Sequence, residues 1–145
     1  MRHHLILRVI TKLLVPPIVL FALYVQFHGD YSPGGGFQAG VILAAGLILF
    51  GIVYGLRKVK QVLPPWLVHK LVAIGVLIYG GTGVISLLLG KAFLDYSVLA
   101  SYPKDGQHYG IIAVEIGVGV TVAAVMVAIY YAFAGRTPRI SDEDW

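Results

Sequence analysis

An all-α integral membrane protein with four transmembrane helices is the fold class this sequence predicts, and three observations carry it. Of its 145 residues, 58% are hydrophobic and 12% charged, roughly half the charged share of an ordinary soluble domain. Four mostly apolar runs stand out, each near the length of about 20 residues that crosses a hydrocarbon core of about 30 Å. Short joints rich in proline, glycine and charge separate them. A mean hydropathy of +0.83 excludes a water-soluble globule. The length fits one domain, residues 1–145, with a polar and acidic tail over 135–145.

The first span is expected over about 5–27. It is too long for a signal-peptide core, Arg8 and Lys12 interrupt its first half, and no small-residue cleavage pattern follows, so it is expected to stay in the mature protein. Pro16 and Pro17 lie inside it and remove the N–H groups that would bond the carbonyls of Lys12 and Leu13, which predicts a kink or break. The second span is expected over about 37–56, after a joint containing Asp30, Ser32, Pro33 and three glycines. The third runs over about 66–89, after Arg57, Lys58, Lys60, Pro64 and Pro65. The fourth runs over about 109–134, after the longest connection, in which Asp95 and Asp105 are expected to be solvated.

Four spans put both termini on one side. Arg2, Arg8, Lys12, Arg57, Lys58, Lys60, Lys70, Arg136 and Arg139 then fall on the terminal side, against Lys91 and Lys104 on the other. That asymmetry predicts a multi-pass protein of the cytoplasmic membrane with its N and C termini inside. The net charge of +4 is read the same way, as a record of orientation and not as affinity for nucleic acid. Small residues at four-residue spacing, such as Gly36 and Gly40, Gly51 and Gly55, and Ala113 and Gly117, predict close helix packing. Because four spans enclose little interior, partner subunits are the expected neighbours.

No soluble-enzyme constellation is present. Gly34, Gly36 and Ala39 mimic a dinucleotide fingerprint weakly, but a membrane span precedes them where a strand is required. His3 and His4 at the terminus do not have the spacing of a metal site, and the absence of cysteine excludes thiolate chemistry. No catalytic residue, metal site or cofactor is therefore expected.

The most distinctive string is HGDYSPGGGFQAG, residues 28–40, between the first two spans. Pro33 followed by Gly34, Gly35 and Gly36 builds a turn whose amides open the second helix. Free N–H groups and partial positive charge there suit a carboxylate, including one from another subunit. A plain helix hairpin needs fewer glycines, so direct packing on this backbone is the alternative to an exposed turn.

On Asp30, Ser32, Pro33, Gly34, Gly35, Gly36, Phe37, Gln38, Ala39 and Gly40 this string resembles the signature of the MnhB/MrpB family, a small membrane subunit of the multisubunit Mrp-type (Mnh) cation/proton antiporters. The four-span plan and the acidic end ISDEDW, residues 140–145, resemble that family too. The resemblance implies a non-enzymatic secondary-transporter subunit of a hetero-oligomer that exchanges sodium ions for protons. It further implies that the other antiporter subunits and the bilayer are its partners. The chain is too short to be one of the long proton-translocating subunits, so the implied role is assembly, with a share in lining an ion path. Two alternatives remain open at this point: an anchor subunit of a related respiratory or hydrogenase complex, and a small homodimeric proton-coupled transporter.

Ionisable residues in the spans are ranked by depth and reach. Glu115 is expected about 9 Å inside the fourth span, too short to reach water, with Thr82, Ser86 and Gln38 as polar neighbours at similar depth. It is either a protonated structural acid or a group on an ion path. Lys12 and Lys70 lie nearer the inner boundary, where their side chains can extend to water, and are expected to anchor helices, with ion handling second.

Overall fold

The computed structural model describes residues 5–29 and 35–136. Its elements are α1 (Leu5–Phe27), α2 (Gly36–Tyr54), α3 (Leu56–Val62), α4 (Pro65–Leu88) and α5 (Pro103–Ala134), with a 3-10 turn at Tyr96–Val98. No strand occurs among the described residues. Four of the helices, α1, α2, α4 and α5, are long and apolar enough to cross a membrane, which is the expected fold class.

The helix ends follow local chemistry. Of the expected kink or break at Pro16 and Pro17, a break does not occur, since α1 continues through both; membrane helices tolerate proline at such positions. α2 stops at Gly55, whose φ of 94° is a conformation open to glycine at little cost. The polar joint that follows is itself helical. Leu56 and Val59 share one side of α3, and Val59 is fully buried. Pro65 begins α4 and Pro103 begins α5, the first-turn position where a missing N–H costs nothing.

α5 starts ahead of the expected boundary near residue 109, because Lys104, Asp105, Gln107 and His108 are too polar to count as span yet continue the helix. Its 32 residues would extend about 48 Å, so its first turns project beyond a core of about 30 Å. Asp105 therefore lies in the first turn of α5, where the helix dipole favours its charge. Asp95 opens the 3-10 turn, accepting hydrogen bonds from the Ser97 hydroxyl at 2.6 Å and the Ser97 N–H at 3.1 Å. These bonds hold its carboxyl below its ordinary pKa.

The spans form a row in the order α1, α2, α5, α4: α5 packs against both α2 and α4, and α1 lies along α2. The buried cluster comprises Ala44, Val59, Val68, Ala124, Val127 and Tyr131, at the end where α3 joins α2, α4 and α5. Only 11% of the most apolar stretch of α1 is buried, against 33% for α2, so α1 offers most of its surface to lipid or to a partner. Tyr131 secures α3, donating its hydroxyl to the carbonyl of Leu63 at 2.7 Å.

Tyr131→Phe is expected to destabilise the protein by about 1 kcal/mol, the usual net worth of one such hydrogen bond. Thermal melting of the purified protein in detergent measures this. An unchanged melting temperature would show that α3 is held by Val59 packing alone.

Candidate functional site

The site is assembled where α2 begins. The Gly35 N–H donates to Gln38 Oε1 at 3.1 Å, so the glutamine three residues into the helix satisfies one of the N–H groups that a helix start leaves unpaired. Gly36 then lies directly on α5: a Cβ there would overlap the main-chain carbonyl oxygen of Glu115. One turn later a Cβ on Gly40 would fall 2.6 Å from the carbonyl oxygen of Gly119. The two helices thus meet backbone to backbone, as small residues permit in lipid.

That close approach delivers the Glu115 side chain to the turn. Its carboxyl oxygens occupy the space a Cβ would need at Gly29 and at Gly35. A carboxylate of this same chain therefore sits beside the amide-rich opening of α2, where the partial positive charge of a helix start favours it. Glu115 lies about 18 Å along α5 from Pro103 and level with the end of α1 and the start of α2. Its surroundings are the end of a helical hairpin and not the middle of a span.

The other residues singled out in the sequence divide accordingly. Gln38 is at the turn with Glu115, though its carbonyl oxygen is engaged by Gly35. Thr82 and Ser86 are buried on α4, and their hydroxyls donate to carbonyls of their own helix, to Ile78 at 2.6 Å and to Thr82 at 3.2 Å. α4 meets α5 at Gly117, where a Cβ would lie 2.9 Å from the Gly75 carbonyl oxygen. Residues 115 and 117 point about 200° apart around a helix, so Glu115 faces the turn and Gly117 faces α4. Phe37 is 60% exposed beside the turn, available to a neighbour. Asp30, Ser32, Pro33 and Gly34 lie outside the described residues, as does the acidic end.

Lys12 is exposed on α1. Lys70 is exposed near the start of α4, with its ammonium over the Trp66 ring at 5.0 Å, a pairing suited to the membrane boundary. Gly51 and Gly55 do not form a packing pair. Gly51 receives the Tyr130 ring, while Gly55 has open space around it and serves as the corner after α2. Among the described residues no group of three or more His, Cys, Asp or Glu could hold a metal ion.

One polar residue of the site is not evident from the sequence. Gln26, near the end of α1, places its carboxamide oxygen against Gly119, one turn below Glu115 on the same side of α5. Its Nε2 is buried with no hydrogen-bond partner among the described residues, beside an otherwise apolar cavity of about 220 Å³ bounded by residues including Ala22, Gly40 and Ile116. A lone amide within an apolar run is the only sequence signal it carries.

Residues 6–128 match a family model described as a domain related to the MnhB subunit of the Na+/H+ antiporter. The chain belongs to this family. It is 34% identical over 136 residues to the "Putative antiporter subunit mnhB2" of Staphylococcus haemolyticus (strain JCSC1435), covering 92% of this chain and 96% of the relative. The protein of the same name from Staphylococcus aureus (strain Newman) has the same identity and coverage. The MnhB match includes every described residue of the site, from Gln26 to Gly119.

In this MnhB-family chain, Gly36→Val is expected to cost at least about 1–3 kcal/mol by overpacking the α2–α5 crossing and to reduce the folded protein recovered from membranes. Gly80→Ala, at a position with open space, is the control and should give wild-type yield. Equal yields of the two variants would show that the crossing tolerates separation.

Proposed function

We propose that this chain is the MnhB-type membrane subunit of a multisubunit sodium/proton antiporter, without enzymatic activity of its own. It crosses the cytoplasmic membrane four times with both termini inside, and the remaining antiporter subunits are its partners. The family membership supports the assembly, and the charge asymmetry between the two ends supports the orientation.

Within that assembly we assign ion handling to Glu115, with Gln26 as the next polar group inward. The observation that carries this is the carboxyl of Glu115 set against Gly29 and Gly35, where α1 ends and α2 begins. A carboxylate so placed can take up and release a proton or attract a cation while its helix stays packed. Intramembrane carboxylates commonly serve such routes. Lys12 and Lys70 are assigned to anchoring, since both side chains can reach the inner boundary. Gly35, Gly36, Gln38 and Gly40 shape the turn, and Phe37 is the turn residue offered to a partner subunit.

Glu115→Gln keeps the shape and hydrogen-bonding capacity of the side chain but cannot ionise. It is expected to leave the assembled complex intact and to lower sodium-dependent proton exchange about tenfold, the change produced by losing roughly 1.4 kcal/mol of charge interaction. The measurement is dye-monitored exchange in everted vesicles, normalised to assembled complex. Wild-type exchange across the pH range would leave Glu115 as a packing residue. The orientation is checked separately with single cysteines at Lys91 and Arg136, treated on intact cells with a membrane-impermeant thiol reagent. Position 91 should be modified from outside; modification of position 136 would invert the topology.

A further inference from the structure

We infer that the corner between α2 and α3 is a binding site for the phosphate headgroup of an anionic phospholipid, held by Arg8, Arg57 and Lys58. A cavity of about 510 Å³ lies there, bounded by Arg8, Val53, Tyr54, Arg57, Lys58 and Gln61. Gly55 turns the chain after Tyr54, and the first turn of α3 and the start of α1 both line the cavity. Tyr54 fixes the arrangement: its hydroxyl donates to the carbonyl of Arg8 at 2.8 Å. The Arg8 guanidinium and the Lys58 ammonium approach the same Tyr54 ring at 5.2 and 5.5 Å. Two cations on one ring, with a third on the rim, make this corner locally positive, which favours an anion among them.

The described acidic residues do not supply that anion. Asp95 and Asp105 lie in the connection before α5 and in its first turn, and Glu115 is at the α1–α2 turn, all toward the opposite end of the spans. The position selects a lipid over a soluble anion. Arg8 is about 4.5 Å from the start of a membrane-crossing helix, and Leu5, Ile6, Val9 and Leu13 around it are exposed. Acyl chains can therefore lie along α1 while the phosphate enters the cavity. Arginine binds phosphate oxygens through paired N–H groups, and basic pockets between membrane helices accept anionic headgroups in this way. Lipid binding here requires only that this end of the spans lies at a bilayer boundary, so it holds whichever side faces the cytoplasm and whatever Glu115 does.

The test is native mass spectrometry of the detergent-purified antiporter complex titrated with phosphatidylglycerol or phosphatidylcholine. Wild type should retain one phosphatidylglycerol at this subunit, with at least about fivefold preference over phosphatidylcholine. Arg8→Gln with Arg57→Gln should weaken that retention about tenfold, while Lys60→Gln with Arg136→Gln, an equal charge change at the same end, should leave it intact. If the first pair does not assemble, Lys58→Glu alone gives the same reading and should also weaken retention. Equal binding of the two lipids, or equal weakening by both variant pairs, would overturn the proposal in favour of a diffuse basic surface. Displacement of the lipid by millimolar inorganic phosphate would overturn the lipid assignment. So would retention that emerges only after Asp142, Glu143 and Asp144 are replaced by Asn, Gln and Asn, because the chain's own acidic end would then be the occupant.

Discussion

Backbone contact between α5 and its two neighbours is the constraint on which the rest of this molecule depends. In lipid the apolar faces of helices have no water to escape, so association rests on van der Waals contact at short range. Gly36 and Gly40 bring α2 onto Glu115 and Gly119, and Gly75 brings α4 onto Gly117. With α5 pinned on both sides, the spans form a row and not a closed bundle. A row buries only a minor share of each helix. The unburied faces are open to lipid and to the other subunits of the antiporter.

The same contact creates the site. Glu115 and Gly119 are successive turns on one side of α5, and α2 approaches them so closely that the carboxyl above lies against Gly29 and Gly35 while the Gln26 amide below lies against Gly119. A glutamate on an ordinary helix face would find side chains around it. Here it lies beside the start of a helix, a source of fixed partial positive charge. Gln26 adds a buried donor with no partner among the described residues, and such a group costs free energy unless a ligand or water engages it.

At the other end the arrangement differs, because α3 folds back from Gly55 and is held down by Val59 and by the bond from Tyr131 to the Leu63 carbonyl. That fold gathers cations which in the sequence look like a plain solvated joint. The polar ends of the molecule are therefore unlike: a carboxylate set against glycines at one, and a basic cavity braced by Tyr54 at the other.

The sequence alone determined the all-α class and the approximate limits of the first three spans, because hydropathy over 20 residues is a local property. It also showed both halves of the site: a turn whose amides favour a carboxylate, and one carboxylate, Glu115, among Ile and Val. What it did not reveal is that the two meet. Matching by depth placed Glu115 with Thr82, Ser86 and Gln38, but depth says nothing about which way a residue faces; rotation of α5 turns Glu115 to α2, where Gln38 is, and Gly117 to α4. The helical nature of 56–62 and the early start of α5 were hidden because both segments are too polar to register as span. Gln26 became a site residue only when Gly119 came against it. Facing, neighbour order and the close approach of a side chain to another helix's backbone are set by contacts between residues far apart in the chain, so only the tertiary structure decided them.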